Sequence, residues 1–247
     1  MTGGGAGIGA AIASAFYEIG AKVYICDINA SFVDQMKKKH PNMHGEVLDV
    51  CIQRHVDRIM EDAEDILGGL DLLVTNASIA GPTARLENID PDEWEQTIAT
   101  NLNSQFLFIR KAIPLLKKSS ENPSIIAMAS VAGRMGYSLR TAYSTSKWAV
   151  IGLMKSLANE LGPFGVRVNA ILPGAVEGER MEHVLEARAA AYDVSVDEMR
   201  EQFLQKISLR RLVCVEDVAA VALFLASPAG RNITGQAINV DGNVEYL

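Results

Sequence analysis

Short apolar stretches alternate along the chain with longer amphipathic ones. The short stretches are rich in β-branched residues and too short for helices, which predicts buried parallel strands. They cover residues 22–26, 45–48, 70–75, 124–129, 166–171 and 237–240. The longer stretches have helical periodicity and cover residues 8–19, 52–67, 92–118, 142–161 and 215–226. This alternation predicts an α/β fold built on a doubly wound parallel sheet.

One segment interrupts the alternation. From about residue 173 to 208, a Pro-Gly turn leads into two charged helical stretches with no strand between them. The segment follows the carboxyl end of the strand predicted at 166–171, and ligands of open α/β sheets bind at that end. We therefore predict a single domain over residues 1–247, with a substrate lid inserted at about 173–208.

Composition narrows the class of protein. The 247 residues are 49% hydrophobic, which suits one domain with a buried core, and the formal charge of −7 argues against a nucleic-acid partner. The basic run Lys37-Lys38-Lys39 is predicted to end a helix on its solvated face. No apolar run approaches the roughly 20 residues that a bilayer requires. Three cysteines without CxxC spacing fit a reducing compartment, so we predict a soluble, cytoplasmic protein.

Tyr143 and Lys147 are the most informative residues. They are four positions apart and share a face of a predicted helix, and Ser130 lies thirteen positions upstream. A phenol ordinarily loses its proton near pH ~10, and a neighbouring ammonium lowers that pKa. The trio is therefore a candidate acid–base centre in which the Ser130 hydroxyl holds the oxygen of a substrate.

A glycine-rich turn opens the chain. Gly3, Gly7, Ile8 and Gly9 lead directly into a helix, where backbone amides and the positive end of the helix can bind a pyrophosphate. A plain loop-to-helix connection would look the same. Asp27, eighteen residues after Gly9, follows the next strand and can accept hydrogen bonds from ribose hydroxyls, although it could also cap the next turn.

The charge of Asp27 also bears on the choice of cofactor. A carboxylate repels a 2′-phosphate, and neither Ile28 nor Asn29 supplies the cation that would bind one. The sequence therefore favours NAD over NADP.

Together these residues resemble the short-chain dehydrogenase/reductase family, from Thr2 to about Gly242. The resemblance implies a Rossmann-type fold and a nicotinamide cofactor. Beyond the glycine turn and Asp27, it adds to the cofactor-binding set Asp49, Val50, Asn76, Ala77, Pro173, Gly174 and Val176, with contributions from Tyr143 and Lys147.

The same resemblance implies the catalytic residues Asn101, Ser130, Tyr143 and Lys147. Tyr143 would take the proton of an alcohol while hydride passes to the cofactor, and the backbone of Asn101 would hold a water that relays protons to Lys147. On its residues alone, Asn101 could equally mark a helix kink. Asp49 could cap the helix that begins near Ile52, and Ser130 could be an ordinary strand-end hydroxyl.

Three departures from the family pattern stand out. Ser78 replaces a glycine and would cost about 1 kcal/mol if its backbone were left-handed. Gly178 replaces a threonine that meets the carboxamide. Only Met1 remains of a first strand that should lie in the middle of the sheet, and unpaired neighbours would cost about 1–3 kcal/mol per group. We therefore expect the natural chain to begin upstream of Met1.

The substrate is less well defined. Arg140 and Arg180 could pair with a carboxylate, phosphate or sulfonate, or could be solvated surface residues. The acidic residues and the histidine of 177–183 lack the spacing of metal ligands, so no metal is implied.

Three functions remain open. They are NAD-dependent oxidation of a secondary alcohol, such as a sugar, polyol or small hydroxy acid; reduction of a 3-oxoacyl thioester with NADPH; and nucleotide binding without effective catalysis. The resemblance also implies a homotetramer that forms through the helices predicted at 92–118 and 142–161 and through the last strand, with the ending 241–247 able to reach a neighbouring subunit.

Overall fold

The computed structural model describes residues 1–244, and residues 245–247 of the chain's ending lie outside the described part. Within it, one parallel sheet contains the strands β1 (Tyr24–Asp27), β2 (His44–Val47), β3 (Leu72–Thr75), β4 (Ser124–Met128), β5 (Arg167–Pro173) and β6 (Ala237–Val240). Strands β3 to β6 lie side by side in chain order, and β1 pairs with β2. Every strand pair is parallel, as the hydrophobic pattern predicts.

Met1 and Thr2 join the two parts of the sheet. The amide of Cys26 donates to the Met1 carbonyl at 2.9 Å, and the amide of Thr2 donates to the Val74 carbonyl at 3.1 Å. Thr2 thereby forms parallel bridges with both Cys26 and Thr75. These two residues occupy the end of the position that the sequence predicts for the first strand, between β1 and β3.

Helices cover both faces of the sheet. In chain order they are α1 (Gly7–Glu18), α2 (Ala30–Lys39), α3 (Gln53–Leu67), α4 (Pro91–Ile98), α5 (Ser104–Leu116), α6 (Thr141–Leu161), α7 (Glu179–Tyr192), α8 (Val196–Gln205) and α9 (Val215–Ala226). Residues of α3, α5 and α6 pack on one face, and residues of α1 and α9 pack on the other. This is the doubly wound arrangement.

Two helices differ from the predicted pattern. The helical periodicity does not predict α2, because only Val33 and Met36 of its residues are buried, although Lys37–Lys39 do lie in its last turn as expected. The helix predicted at 92–118 is interrupted by a π-helical turn at Ala99–Asn103, between α4 and α5. The segment proposed as a lid contains α7 and α8, which pack on each other through their own apolar cluster.

Candidate active site

The predicted site residues gather at one edge of the sheet because its strands are parallel. Asp27 ends β1, Asn76 follows β3, Ser130 follows β4 and Pro173 ends β5. All four therefore lie at carboxyl ends of strands. This is the edge where open α/β sheets bind ligands.

Ser130, Tyr143 and Lys147 come together at this edge. Lys147 is only 1% exposed, its Nζ donates to the Met128 carbonyl at 3.0 Å, and Nζ lies 5.6 Å from the centre of the Tyr143 ring. Ser130 caps a short 3₁₀ turn, where its hydroxyl accepts from the Ala132 amide at 3.2 Å. Tyr143 and Lys147 are four residues apart on α6, and Ser130 follows β4. This arrangement places a phenol, an ammonium and a serine hydroxyl in one cluster.

The electrostatics of this cluster favour the phenolate. Burial on its own raises the pKa of Tyr143, but the charges of Lys147 and Arg180, a hydrogen bond with Ser130 and the charge of Arg140 outweigh it. The pKa of Tyr143 consequently lies below its ordinary value. The sequence predicts the contribution of Lys147; those of Ser130, Arg140 and Arg180 require the tertiary structure.

Lys147 is itself perturbed. Burial lowers its pKa to about 8, opposed by Tyr143 and reinforced by the like charge of Arg180. The ammonium is therefore the major form at neutral pH, and a rise in pH through this range removes its charge.

Asn101 lies in the π-helical turn between α4 and α5 and is fully buried. Its Oδ1 accepts from the Ile79 amide at 2.8 Å, and its Nδ2 donates to the Ile79 carbonyl and to the Ser146 hydroxyl, both at 3.1 Å. Its carbonyl accepts from the side-chain amide of Gln105 at 3.1 Å. Asn101 thus joins this helix to α6 and to the loop after β3, and the kink alternative agrees with the π turn.

The glycine turn is held by the residues that follow β3. The Thr2 hydroxyl oxygen accepts from the amides of Asn76 and Ala77 at 2.9 and 3.0 Å, and the Asn76 side chain donates to the Gly3 carbonyl at 2.8 Å. A Cβ at Gly9 would lie 1.9 Å from that same carbonyl. Asn76 and Ala77 therefore act on the turn itself.

The turn and Asp27 fit a dinucleotide. Gly7 begins α1 with φ +52°, and the space that a Cβ would take there is open. Ala6 provides no side-chain cap for α1, so the capping residue makes no side-chain hydrogen bond to the first amides of the helix. The two carboxylate oxygens of Asp27 accept from the Gly5 amide at 3.0 Å and the Asn29 amide at 3.1 Å. The helix cap itself is Asn29, not Asp27.

The remaining predicted cofactor residues are ordered by backbone contacts. Asp49 accepts from the Cys51 amide at 2.8 Å and so stabilises the turn before α3, while Val50 is buried. The Gly174 amide donates to the Val240 carbonyl at 2.9 Å, and Val176 forms a parallel bridge with Val213. Their contacts with a cofactor stay predictions.

Ser78 does not carry the strain considered from the sequence. It is absent from the non-glycine residues with positive φ among residues 1–244, so the left-handed penalty does not apply. Instead, its carbonyl and hydroxyl oxygens each accept from the Arg180 guanidinium at 3.1 Å. Gly178, with φ +131°, precedes α7.

Two further findings concern metals and membranes. Within residues 1–244, no three His, Cys, Asp or Glu side chains are grouped so that they could hold a metal ion. In the same range, no helix combines the length and apolarity needed to cross a membrane.

Comparison with known proteins defines the family. A family model described as enoyl-(acyl carrier protein) reductase matches residues 3–244. The chain is 34% identical over 248 residues to a 3-oxoacyl-[acyl-carrier-protein] reductase of Thermotoga maritima, covering 99% of this chain and 96% of that protein. The chain belongs to the short-chain dehydrogenase/reductase family.

Two solved structures of this family have the same fold. NAD⁺-bound xylitol dehydrogenase superposes with a TM-score of 0.93 at 25% identity, covering 98% of this chain and 96% of that one. A variant of actinorhodin polyketide ketoreductase with NADPH gives 0.93 at 27% identity, covering 98% and 95%. The predicted family, Rossmann fold and oxidoreductase class are therefore confirmed, with a nicotinamide nucleotide as the class of cofactor.

Proposed function

We propose that this short-chain dehydrogenase/reductase transfers a hydride between NAD(H) and a secondary alcohol or its ketone, of the sugar, polyol or small hydroxy-acid type. The observation that carries the proposal is the cluster of Ser130, Tyr143 and Lys147, in which Lys147 helps to hold the pKa of Tyr143 below its ordinary value. A phenol with a lowered pKa is suited to accept an alcohol proton.

The residues would divide the work as follows. The Ser130 hydroxyl holds the substrate oxygen, the Tyr143 phenolate takes its proton, and the Lys147 ammonium stabilises that phenolate. Asn101 holds a water through its backbone for proton relay to Lys147. NAD, when bound, supplies the hydride acceptor.

The cofactor would lie along the strand edge. The turn with Gly3, Gly7, Ile8 and Gly9 would hold the pyrophosphate, and the carboxylate of Asp27 would accept from the ribose. The other proposed binding residues are Asp49, Val50, Asn76, Ala77, Pro173, Gly174 and Val176. The carboxylate of Asp27, held next to the glycine turn by the Gly5 amide, would repel a 2′-phosphate and so supports NAD over NADP.

A second candidate is reduction of a 3-oxoacyl thioester with NADPH. Its support is the similarity to the Thermotoga maritima reductase over nearly the whole chain. The carboxylate of Asp27 disfavours this second candidate, because the carboxylate would lie near the 2′-phosphate of NADPH and repel it. The presence of all three catalytic side chains in one cluster likewise disfavours a nucleotide-binding protein without catalysis.

We propose that residues 173–208 act as the substrate lid and that the protein assembles as a homotetramer. The lid's first helix, α7, reaches the site through Arg180, whose guanidinium carbon lies 5.7 Å from the centre of the Tyr143 ring. On the helices proposed for assembly, Phe106 of α5 and Trp148 of α6 are 49% and 52% exposed. Large exposed aromatic side chains of this kind favour subunit contact.

A substrate screen tests the proposed function. Sugars, polyols and hydroxy acids are offered with NAD and with NADP, 3-oxoacyl thioesters are offered with NADH and NADPH, and absorbance of the reduced cofactor is followed. We expect NAD-dependent oxidation of at least one alcohol. Turnover confined to thioesters with NADPH would contradict this proposal and support the second candidate.

A further inference from the structure

Two arginines approach the ring of Tyr143 from different elements. Arg140 immediately precedes α6, and its guanidinium carbon lies 5.2 Å from the ring centre; that of Arg180, in the first turn of α7, lies at 5.7 Å. Arg140 donates to the Ala80 carbonyl at 2.7 Å, while Arg180 donates to the Ser78 carbonyl at 3.1 Å. Both guanidinium groups are thus attached to one short stretch that follows β3.

Arg140 is buried with a free donor. The residue is only 2% exposed, and its Nε has no hydrogen-bond partner in the described part of the chain. A buried guanidinium donor without a partner destabilises the fold, because it loses its hydrogen bonds to water and forms none with the protein. This donor is therefore a place where a bound group would be stabilised.

Within residues 1–244, the positive charge around Tyr143 has no carboxylate partner. The ion pairs formed within residues 1–244 involve Arg58, Lys111, Lys118 and Arg200, and neither Arg140 nor Arg180 belongs to one. Burial lowers the pKa of Arg140; Tyr137 and Tyr143 oppose that shift, and the like charges of Arg180 and Arg188 reinforce it. An anion placed here would relieve this repulsion.

Arg188 supports the position of the lid helix. It is only 4% exposed, donates to the Ser138 carbonyl at 3.0 Å and lies 5.0 Å from the centre of the Tyr137 ring. It thereby holds α7 against the loop that precedes α6. Arg140 and Arg180 are consequently carried by two packed elements rather than by free loops.

We propose that the substrate carries an anionic oxygen group, a carboxylate or a phosphate, which Arg140 and Arg180 bind beside Tyr143. The inference rests on the proposed dehydrogenase function, since it names the substrate class of the same site. Guanidinium groups bind both oxyanions through charge-assisted hydrogen bonds. Both arginines flank the ring of Tyr143, whose phenolate oxygen would receive the proton, so the anion and the reacting alcohol carbon belong to one small molecule.

A rival explanation is that the arginines serve only to lower the pKa of Tyr143. Both charges do act in that direction. The two explanations differ in substrate dependence. Loss of the electrostatic effect on Tyr143 slows neutral and anionic substrates equally, whereas loss of an anion site adds a further loss that only the anionic substrates show.

Matched substrate pairs separate these explanations. The pairs are 3-hydroxybutyrate with its methyl ester, and xylitol 5-phosphate with xylitol, so that a carboxylate and a phosphate are tested apart. We expect wild-type kcat/KM to favour the anionic member of one pair by about ten- to a hundredfold, as for a charge-assisted contact. The exposed Arg180→Met should abolish that ratio, as should Arg140→Lys, which keeps a charge but lacks the Nε donor. Arg231→Met, an exposed arginine after α9, is the control.

A binding measurement keeps this inference separate from the proposed function. Calorimetric titration with butyrate and inorganic phosphate should show binding to wild type and Arg231→Met but not to Arg180→Met. Equal turnover of both members of each pair would overturn the anion site and leave the dehydrogenase function intact. If no alcohol is oxidised, the proposed function fails, and absence of Arg180-dependent anion binding would then overturn this inference too.

Discussion

Tyr143 depends on its neighbours for any role at neutral pH. Burial alone would make its proton harder to remove, and the surrounding cations reverse that effect. Lys147 provides the largest favourable contribution while being almost fully buried itself. At the scale of single residues, the pKa of Tyr143 is therefore set by desolvation, which raises it, and by nearby positive charges, which lower it.

Substitution Tyr143→Phe tests the proton acceptor. It preserves the ring and removes the hydroxyl, so we expect kcat to fall by about 10²–10⁴-fold, the usual worth of general acid–base catalysis. NAD binding, measured by calorimetry, should persist. Retention of wild-type turnover would show that another group takes the proton.

The pH profile tests the charge around the phenol. Below the pKa of Tyr143 the phenol is protonated and cannot accept a proton, so kcat/KM for oxidation should rise with pH to a midpoint below 10, its ordinary value. Lys147→Met keeps an unbranched side chain of similar length and removes its charge, which should move the midpoint upward. An unshifted midpoint would show that the charge of Lys147 does not lower the pKa of Tyr143.

A substitution at Asp27 tests whether the enzyme prefers NAD to NADP. Asp27→Ser removes the charge that opposes a 2′-phosphate and the acceptors proposed for the ribose. We expect kcat/KM to fall by about tenfold or more with NAD, as for loss of a charged hydrogen bond, and to rise with NADP. Asp34→Ser, on the exposed side of α2, is the control. Equal effects of the two substitutions would contradict the role of Asp27.

At the scale of elements, the glycine turn works as part of a larger unit. Thr2, Gly3, Asn76 and Ala77 are linked by three hydrogen bonds, so the start of α1 is held against the end of β3. Spacing alone could not show this, because the two segments are more than seventy residues apart in the chain. The π turn around Asn101 is a comparable case, since its contacts run to the loop after β3 and to α6.

Two glycine substitutions test the packing of the turn. At Gly9 a Cβ would meet the Gly3 carbonyl at 1.9 Å, so Gly9→Ala should reduce the free energy of unfolding by about 1–3 kcal/mol and weaken NAD binding. At Gly152, an exposed position in α6, a Cβ has open space, and Gly152→Ala should stabilise by about 0.5–1 kcal/mol. Urea denaturation measures both; equal stability changes would contradict the close packing.

At the scale of the whole molecule, the sheet separates two apolar layers and brings its functional side chains to one edge. The two helices of the proposed lid form a separate, smaller cluster that includes Met181, Leu185 and Phe203. This separation allows α7 to carry Arg180 to the site without being part of the main core.

Subunit assembly is tested at Phe106 and Trp148. Phe106→Glu and Trp148→Glu place a charge on the helices proposed to meet across the tetramer, where burying it would be costly. Light scattering after gel filtration should show a smaller assembly than wild type. Ile19→Glu, at an exposed apolar position after α1, is the control and should leave the mass unchanged. An unaltered mass in both test variants would rule out this interface.

The hydrophobic pattern alone predicted the order of the strands along the chain, their parallel pairing and most helices. This was possible because the apolar positions within each element show which part of it is buried. It also predicted that Tyr143 and Lys147 share a helix face. It did not predict α2, which buries only Val33 and Met36, or the π turn, which depends on contacts elsewhere.

The grouping of Arg140 and Arg180 over Tyr143, and the role of Ser78 as an acceptor, were decided only by the tertiary structure. Sequence patterns report which face of an element is buried. Distances between charges on different elements arise only when those elements pack, and in this protein such distances set the chemistry of the site.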